Sequence, residues 1–221
     1  MASINGISVK GLKSFVGHEG EGCYQGNIYI ANKKVGFWSQ DSWGGPDLFN
    51  FDLSYSEKKL SDRVKELNPD KAIHGKSRDG KPYTIDYDLE LLMYDLVKLL
   101  EDEKIFKNSI KKGFAGAMIV TDGYHLVAWN LKENLLKLSD ENLLSHCSKM
   151  IEKAKDEAKF FKESADTKHE IKIYRSFSDF EIGTPIALKE ICTKQTLDEK
   201  VLKSEKKSQK SSNNKKCEKE R

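Results

Sequence analysis

Residues 12–53 read LKSFVGHEGEGCYQGNIYIANKKVGFWSQDSWGGPDLFNFDL, a stretch dense in glycine and aromatic residues. Within it, residues 26–30 (GNIYI) and 34–39 (KVGFWS) are short β-branched and aromatic runs separated by Ala31-Asn32-Lys33. Asn tolerates the left-handed backbone of a tight turn, so the two runs predict a β-hairpin. Side chains alternate across a strand. Ile28 and Ile30 therefore oppose Asn27 and Tyr29, and Val35 and Phe37 oppose Gly36 and Trp38. The expectation is an aliphatic core face and an outer face on which the rings of Tyr29 and Trp38 are at least partly exposed.

Two loops flank this hairpin. Gly17-His18-Glu19-Gly20-Glu21-Gly22 precedes it, and Gln40-Asp41-Ser42-Trp43-Gly44-Gly45-Pro46-Asp47 follows it. Glycine at this density permits positive φ and close backbone approach. One reading is a ligand-contacting rim, with His18, Glu19 and Asp41 as polar groups and Trp43 as a stacking surface beside Gly44 and Gly45. The competing reading is two tight loops whose glycines only satisfy turn geometry, with Asp41 bonding its own backbone in an Asx-turn. Loops on a rigid sheet carry function disproportionately, which keeps the rim in play.

Working outward, residues 7–16 form one strand, with Gly11 suited to a bulge. Residues 48–53 alternate strictly and supply a fourth strand. The N-terminal part is thus a small antiparallel sheet. The order of Leu12, Lys13, Phe15, Gly17, Glu19 and Gly20, then Lys33, Lys34 and Gly36, then Asp41, Gly44 and Gly45 resembles the opening of small proteins encoded by bacterial phages and integrative elements. The resemblance covers about a fifth of the chain. It implies a mobile-element protein that antagonises a host defence system such as a CRISPR nuclease, and it assigns no catalytic residue.

Beyond residue 53, Ser54 or Ser56 caps a helix over about residues 57–67, with Leu60, Val64 and Leu67 on one side and Pro69 as its stop. Residues 68–82 read as a polar connector and a domain boundary. Lys71, Lys76, Arg78 and Lys81 stand there against Asp70 and Asp79, so the segment is either a phosphate contact or a solvated link. Asp86 or Asp88 opens a strong helix whose Leu89, Leu92, Met93, Leu96, Val97, Leu99 and Leu100 form an apolar stripe. Met93 and Tyr94 are read as packing, and Gly113 as the stop. Asp122-Gly123 between two β runs is the clearest hairpin signal of the chain. The apolar run before it predicts a strand covered on both faces. His125 and Trp129 share a side of the following strand, where His125 is read as packed or partly exposed rather than as a ligand. One helix follows from Asp140 to about Phe161, capped by Ser139, with Cys147 on its apolar face. Residues 170–175 form a further strand, and Thr184-Pro185 opens a short helix or strand.

The fold class is therefore α+β: an N-terminal antiparallel sheet with its helix (1–67), a helical region around a second hairpin (83–202), and a tail (203–221). The tail holds eight Lys/Arg and three Glu and almost no apolar residue, which predicts disorder. Its surplus of five positive charges exceeds the net +3 of the whole chain, so the rest of the chain is slightly acidic. Nucleic acid would meet a local patch, not a global field. Weak contact is expected through Lys76, Arg78, Lys81 and the tail.

The 221 residues contain no apolar run near the ~20 that a membrane helix needs, and no signal-peptide plan, which points to a cytoplasmic protein. The four cysteines are scattered without metal-ligand spacing. No P-loop, dinucleotide fingerprint, H-E-x-x-H or G-x-S-x-G occurs, and no cofactor is expected. The tract Gly17-x-x-Gly20-x-Gly22 echoes a phosphate loop but lacks the following helix. Three functions fit. The first is a binding or inhibitor protein whose contacts are Tyr29, Trp38, Trp43, Gly44 and Gly45. The second is a metal-assisted nuclease using His18, Glu19 and Asp41 or Asp52. The third is a structural component of a mobile element.

Overall fold

The computed structural model describes residues 1–114, 116–121, 124–128, 137–161 and 171–193. In chain order the elements are β1 (Ser3–Ile4), β2 (Ile7–Val16), β3 (Gly22–Ile30), β4 (Lys33–Ser39), β5 (Leu48–Phe51), α1 (Glu57–Leu67), β6 (Ile73–Lys76), β7 (Pro82–Ile85), α2 (Leu89–Lys111), β8 (Ala117–Thr121), β9 (Tyr124–Ala128), α3 (Asp140–His146), α4 (Ser148–Phe161), β10 (Ile171–Tyr174), β11 (Glu181–Ile182) and α5 (Leu188–Ile191). The class is α+β. The described residues form two compact units. One comprises Met1–Ile4 and Met93–Gly183; the other comprises Asn5–Leu92 and the segment from Thr184.

In the Asn5–Leu92 unit, β2, β3, β4 and β5 pair antiparallel with their sequence neighbours. The β3–β4 turn is Ala31-Asn32, with φ of 48° and 63°, between the paired residues Ile30 and Lys33. Positive φ at both central residues matches the right-handed twist of the strands. Gly11, at φ 68°, sits in a bulge where β2 slips between Lys10 and Lys13 against Asn27 and Gln25.

A second bulge corrects the expected faces. Ile28 pairs with Gly36 but Tyr29 pairs with Lys34, so Val35 is an extra residue on β4. An extra residue resets the parity of the strand. Val35 therefore faces the core, and so do Gly36 and Trp38 beyond it, while Phe37 is only half-buried. Trp38 is fully buried rather than displayed. Tyr29 stays on the outer face, with Lys10 Nζ 4.5 Å from its ring centre.

Ser56 caps α1 by accepting from the Lys59 amide, and Leu60 and Val64 are its buried stripe. Tyr55 bridges to Cys192, and Arg63 on α1 pairs with Glu190 on α5 at 2.8 Å. The connector after α1 is more ordered than its composition implies. A 3-10 turn at Pro69–Lys71 leads into a two-stranded antiparallel hairpin, β6–β7. Both strands are short and largely exposed, so no burial pattern announced them. Asp88 starts α2 by accepting from the amides of Glu90 and Leu91.

In the Met93–Gly183 unit, β8 lies between β10 and β9, antiparallel to both, and is buried along its whole length. Ala117 and Ile119 of β8 join Leu143, Cys147 and Ile151 in one apolar cluster. The helix expected from Asp140 to Phe161 is two helices, because Cys147 turns between α3 and α4 at φ −95°, ψ 4°. Ser139 caps α3 as expected. On α2, Met93 is buried but Tyr94 is 54% exposed under the Lys98 ammonium, so Tyr94 is not core packing. Phe106 packs against Phe177 and Phe180, and Tyr174 stacks on Phe180 at 4.2 Å. Asp122-Gly123, Trp129, Cys217 and the 203–221 tail lie outside the described residues.

Candidate functional site

The rim is built by the β2–β3 and β4–β5 loops. Glycine closes the first: Gly17 N–H donates to Glu21 O at 2.8 Å, and Gly20 N–H donates to Gly17 O at 3.2 Å. Glu21 lies so close over Gly17 that a Cβ there would fall on its carboxylate. Its Oε2 accepts from the Glu19 amide at 2.9 Å. The second loop is tied by Asp41, whose Oδ2 accepts from Gly45 N–H at 2.7 Å and whose Oδ1 accepts from Trp43 N–H at 3.3 Å. This is the Asx-type geometry that the competing reading anticipates. Both Asp41 oxygens thus hold the loop's own backbone, and Gly44 takes φ 75° between them.

The two loops are joined to each other. His18 N–H donates to Ser42 O at 2.8 Å. The His18 ring stacks on the Trp43 indole, with centres 3.8 Å apart and planes 21° apart. Trp43 is nonetheless 72% exposed. Below the rim, Gln40 N–H donates to Tyr24 O, and its side-chain oxygen accepts from the Tyr24 amide, both at 2.9 Å. The buried Trp38 donates from Nε1 to Asp47 Oδ2 at 2.7 Å, and Asp47 N–H donates to Glu90 Oε1 at 3.0 Å. Desolvation, aided by Glu90 and Asp88, holds the Asp47 carboxyl above its usual range against the opposing pull of the indole bond.

The structure therefore brings His18, Asp41, Trp43, Gly44 and Gly45 together, with Glu19 in the same loop as His18. Tyr29 stands on the strand surface, and Trp38 belongs to the scaffold under the rim. Among the described residues, no three or more His, Cys, Asp or Glu side chains are placed to hold one metal ion. Burial pushes the Cys147 thiol up, in keeping with a core residue and not a nucleophile.

No family model matches the chain, and neither a curated protein nor a solved structure shows significant similarity to it.

A second polar cluster lies in the Met93–Gly183 unit. Asp102 is buried on α2; its Oδ1 is 2.7 Å from His125 Nε2, and its Oδ2 accepts from Tyr174 O–H at 3.0 Å. His125 is partly exposed, as expected, but nothing in the sequence signals its carboxylate partner. The three residues are separated by tens of positions and share no local motif. The pairing of β9 and β10 on either side of β8 puts His125 and Tyr174 in one sheet, and Asp102 of α2 reaches both.

Proposed function

We propose that the chain is a binding protein that engages a protein or ribonucleoprotein partner in the cytoplasm through the His18–Trp43 platform. The observation that carries this is an indole 72% exposed yet fixed in orientation. One side of the ring is stacked on His18, and its own loop is tied down by Asp41. A large exposed ring that is already ordered loses little conformational freedom on docking, which is what an interface anchor requires. The resemblance of the opening stretch to mobile-element proteins narrows the partner to a host defence effector such as a CRISPR nuclease, which the protein would inhibit by occlusion. Tyr29 lies at the other end of β3, beside the Ala31-Asn32 turn, and is not part of this platform.

The test is affinity capture from a bacterial lysate with the full chain, with and without nuclease treatment, followed by titration of the recovered partner. One stoichiometric protein that survives nuclease supports the reading. Trp43→Ala should weaken its binding by roughly 30-fold, the ~2 kcal/mol of an anchor residue, without changing the unfolding curve. Binding that is indifferent to Trp43→Ala, or activity on nucleic acid abolished by His18→Ala, would overturn it.

A further inference from the structure

The β6–β7 hairpin is a second surface, separate from the rim. Its register pairs Ile73 with Ile85, His74 with Thr84, Gly75 with Tyr83 and Lys76 with Pro82. Directly paired residues share a face. Ile73, Gly75, Tyr83 and Ile85 therefore make one side, and His74, Lys76, Pro82 and Thr84 the other. On the first side the Tyr83 ring lies across Gly75: a Cβ at Gly75 would stand 2.5 Å from the Tyr83 Cζ. Glycine is required there to seat the ring. One ring face is thus covered by bare backbone while the side chain remains 45% exposed, flanked by Ile73 and Ile85 at 46% and 47%.

The turn beyond the ring is tied and basic. Ser77 N–H donates to Lys81 O at 2.8 Å, and Gly80 N–H donates to Ser77 O at 2.9 Å, with Gly80 at φ 75°. Lys76, Arg78 and Lys81 are all exposed, and among the described residues none of them forms an ion pair. Asp79 is the single acidic residue between Lys76 and Lys81. The chain outside the tail is slightly acidic, so this cluster is positive against its surroundings.

An aromatic face open beside the two exposed cations of the turn, Arg78 and Lys81, is the combination that single-stranded nucleic acid uses: the base stacks, and the backbone follows the charge. We propose that the β6–β7 hairpin binds single-stranded nucleic acid, with a base stacked on the outer face of Tyr83 and phosphates held by Arg78 and Lys81 of the adjoining turn. A duplex hides its base faces and would leave the Ile73–Tyr83–Ile85 side uncovered. The inference is independent of the rim.

The experiment is an anisotropy titration of a labelled oligothymidylate of about 15 nucleotides with the full chain, over about 50 to 200 mM salt. Tyr83→Leu should weaken binding by roughly 5- to 150-fold, the range for one stacked base, and Tyr83→Phe should restore it. The combined Arg78→Gln and Lys81→Gln variant should flatten the slope of log K against log salt by about 1.4, at about 0.7 for each phosphate left without its cation. Since these two are exposed, that arm stands even if Tyr83→Leu disturbs the hairpin. A full-length variant with Lys206, Lys207, Lys210, Lys215 and Lys216 changed to Gln separates the tail's charge, and the Tyr83 effect should persist in it. Trp43→Ala should bind the oligonucleotide unchanged. Equal binding by wild type and Tyr83→Leu, an unchanged salt slope in the Arg78→Gln, Lys81→Gln variant, or tighter binding of a duplex of the same length would each overturn the proposal.

Discussion

Asp47 shows how one residue joins the scaffold to the rim. A buried indole needs an acceptor for its N–H, and Asp47 supplies one to Trp38. The carboxyl is itself partly desolvated, and that is the main reason it is held above its usual range. A carboxyl with a raised folded-state value is favoured in its protonated form, so its contribution is present at acid pH and fades as pH rises through that value. Asp47→Asn keeps the acceptor and removes the charge. It should be at least as stable as wild type at neutral pH, and stability should depend less on pH just above the ordinary value of 3.8. Asp47→Ala removes the acceptor and should cost about 1–3 kcal/mol, the penalty for an unmade buried bond. Urea unfolding of the three proteins at several pH values checks both; a destabilised Asp47→Asn at neutral pH would contradict the assignment.

At the scale of elements, alternation was legible and parity was not. The four strands from Ile7 to Phe51 and the bulge at Gly11 follow from composition and turn chemistry in the sequence, which leaves the α1 cap open between Ser54 and Ser56; the structure gives it to Ser56. The bulge at Val35 does not, because Val35, Gly36 and Phe37 are each acceptable strand residues and nothing local marks which is extra. The slip decides the fate of Trp38. Gly36 is closely packed against the neighbouring strand: a Cβ there would stand 2.8 Å from Asn50 O and 3.1 Å from Phe51 Cα, both backbone atoms of β5. Gly36→Ala should therefore separate β4 from β5 and cost about 1–3 kcal/mol in denaturant unfolding, as overpacking does. Ser56→Ala should cost about 1 kcal/mol by removing the α1 cap. The β6–β7 hairpin escaped the sequence for the opposite reason: its strands are short and exposed, so they show no core-facing alternation. The His18–Trp43 stack was legible only as two candidate residues in two loops; their meeting depends on the closure of both.

At the scale of the whole molecule, each unit contains a different buried polar tie. In the Asn5–Leu92 unit, Asn5 at φ 51° donates to Thr184 O, accepts at Oδ1 from Asn68, and accepts at its backbone O from Ile186, fastening the later segment to the earlier one. In the Met93–Gly183 unit the tie is Asp102, which holds groups from β9 and β10 with its two oxygens. Bonds of this range are invisible to periodicity, since α2, β9 and β10 are separated by long intervals of chain. They also distinguish a structural cluster from a reactive one. If Asp102 is a structural tie, Asp102→Ala should lower unfolding stability by about 2–4 kcal/mol, because a buried acceptor shared by two partners is removed. Tyr174→Phe should lower it by about 1 kcal/mol, and its effect should shrink in the Asp102→Ala background, since the bond it removes is already gone. Urea unfolding of the wild type, both single variants and the double variant closes the cycle. Strict additivity would mean that the 3.0 Å hydrogen bond carries no stabilisation and that the cluster is held by the packing of Tyr174 on Phe180 instead.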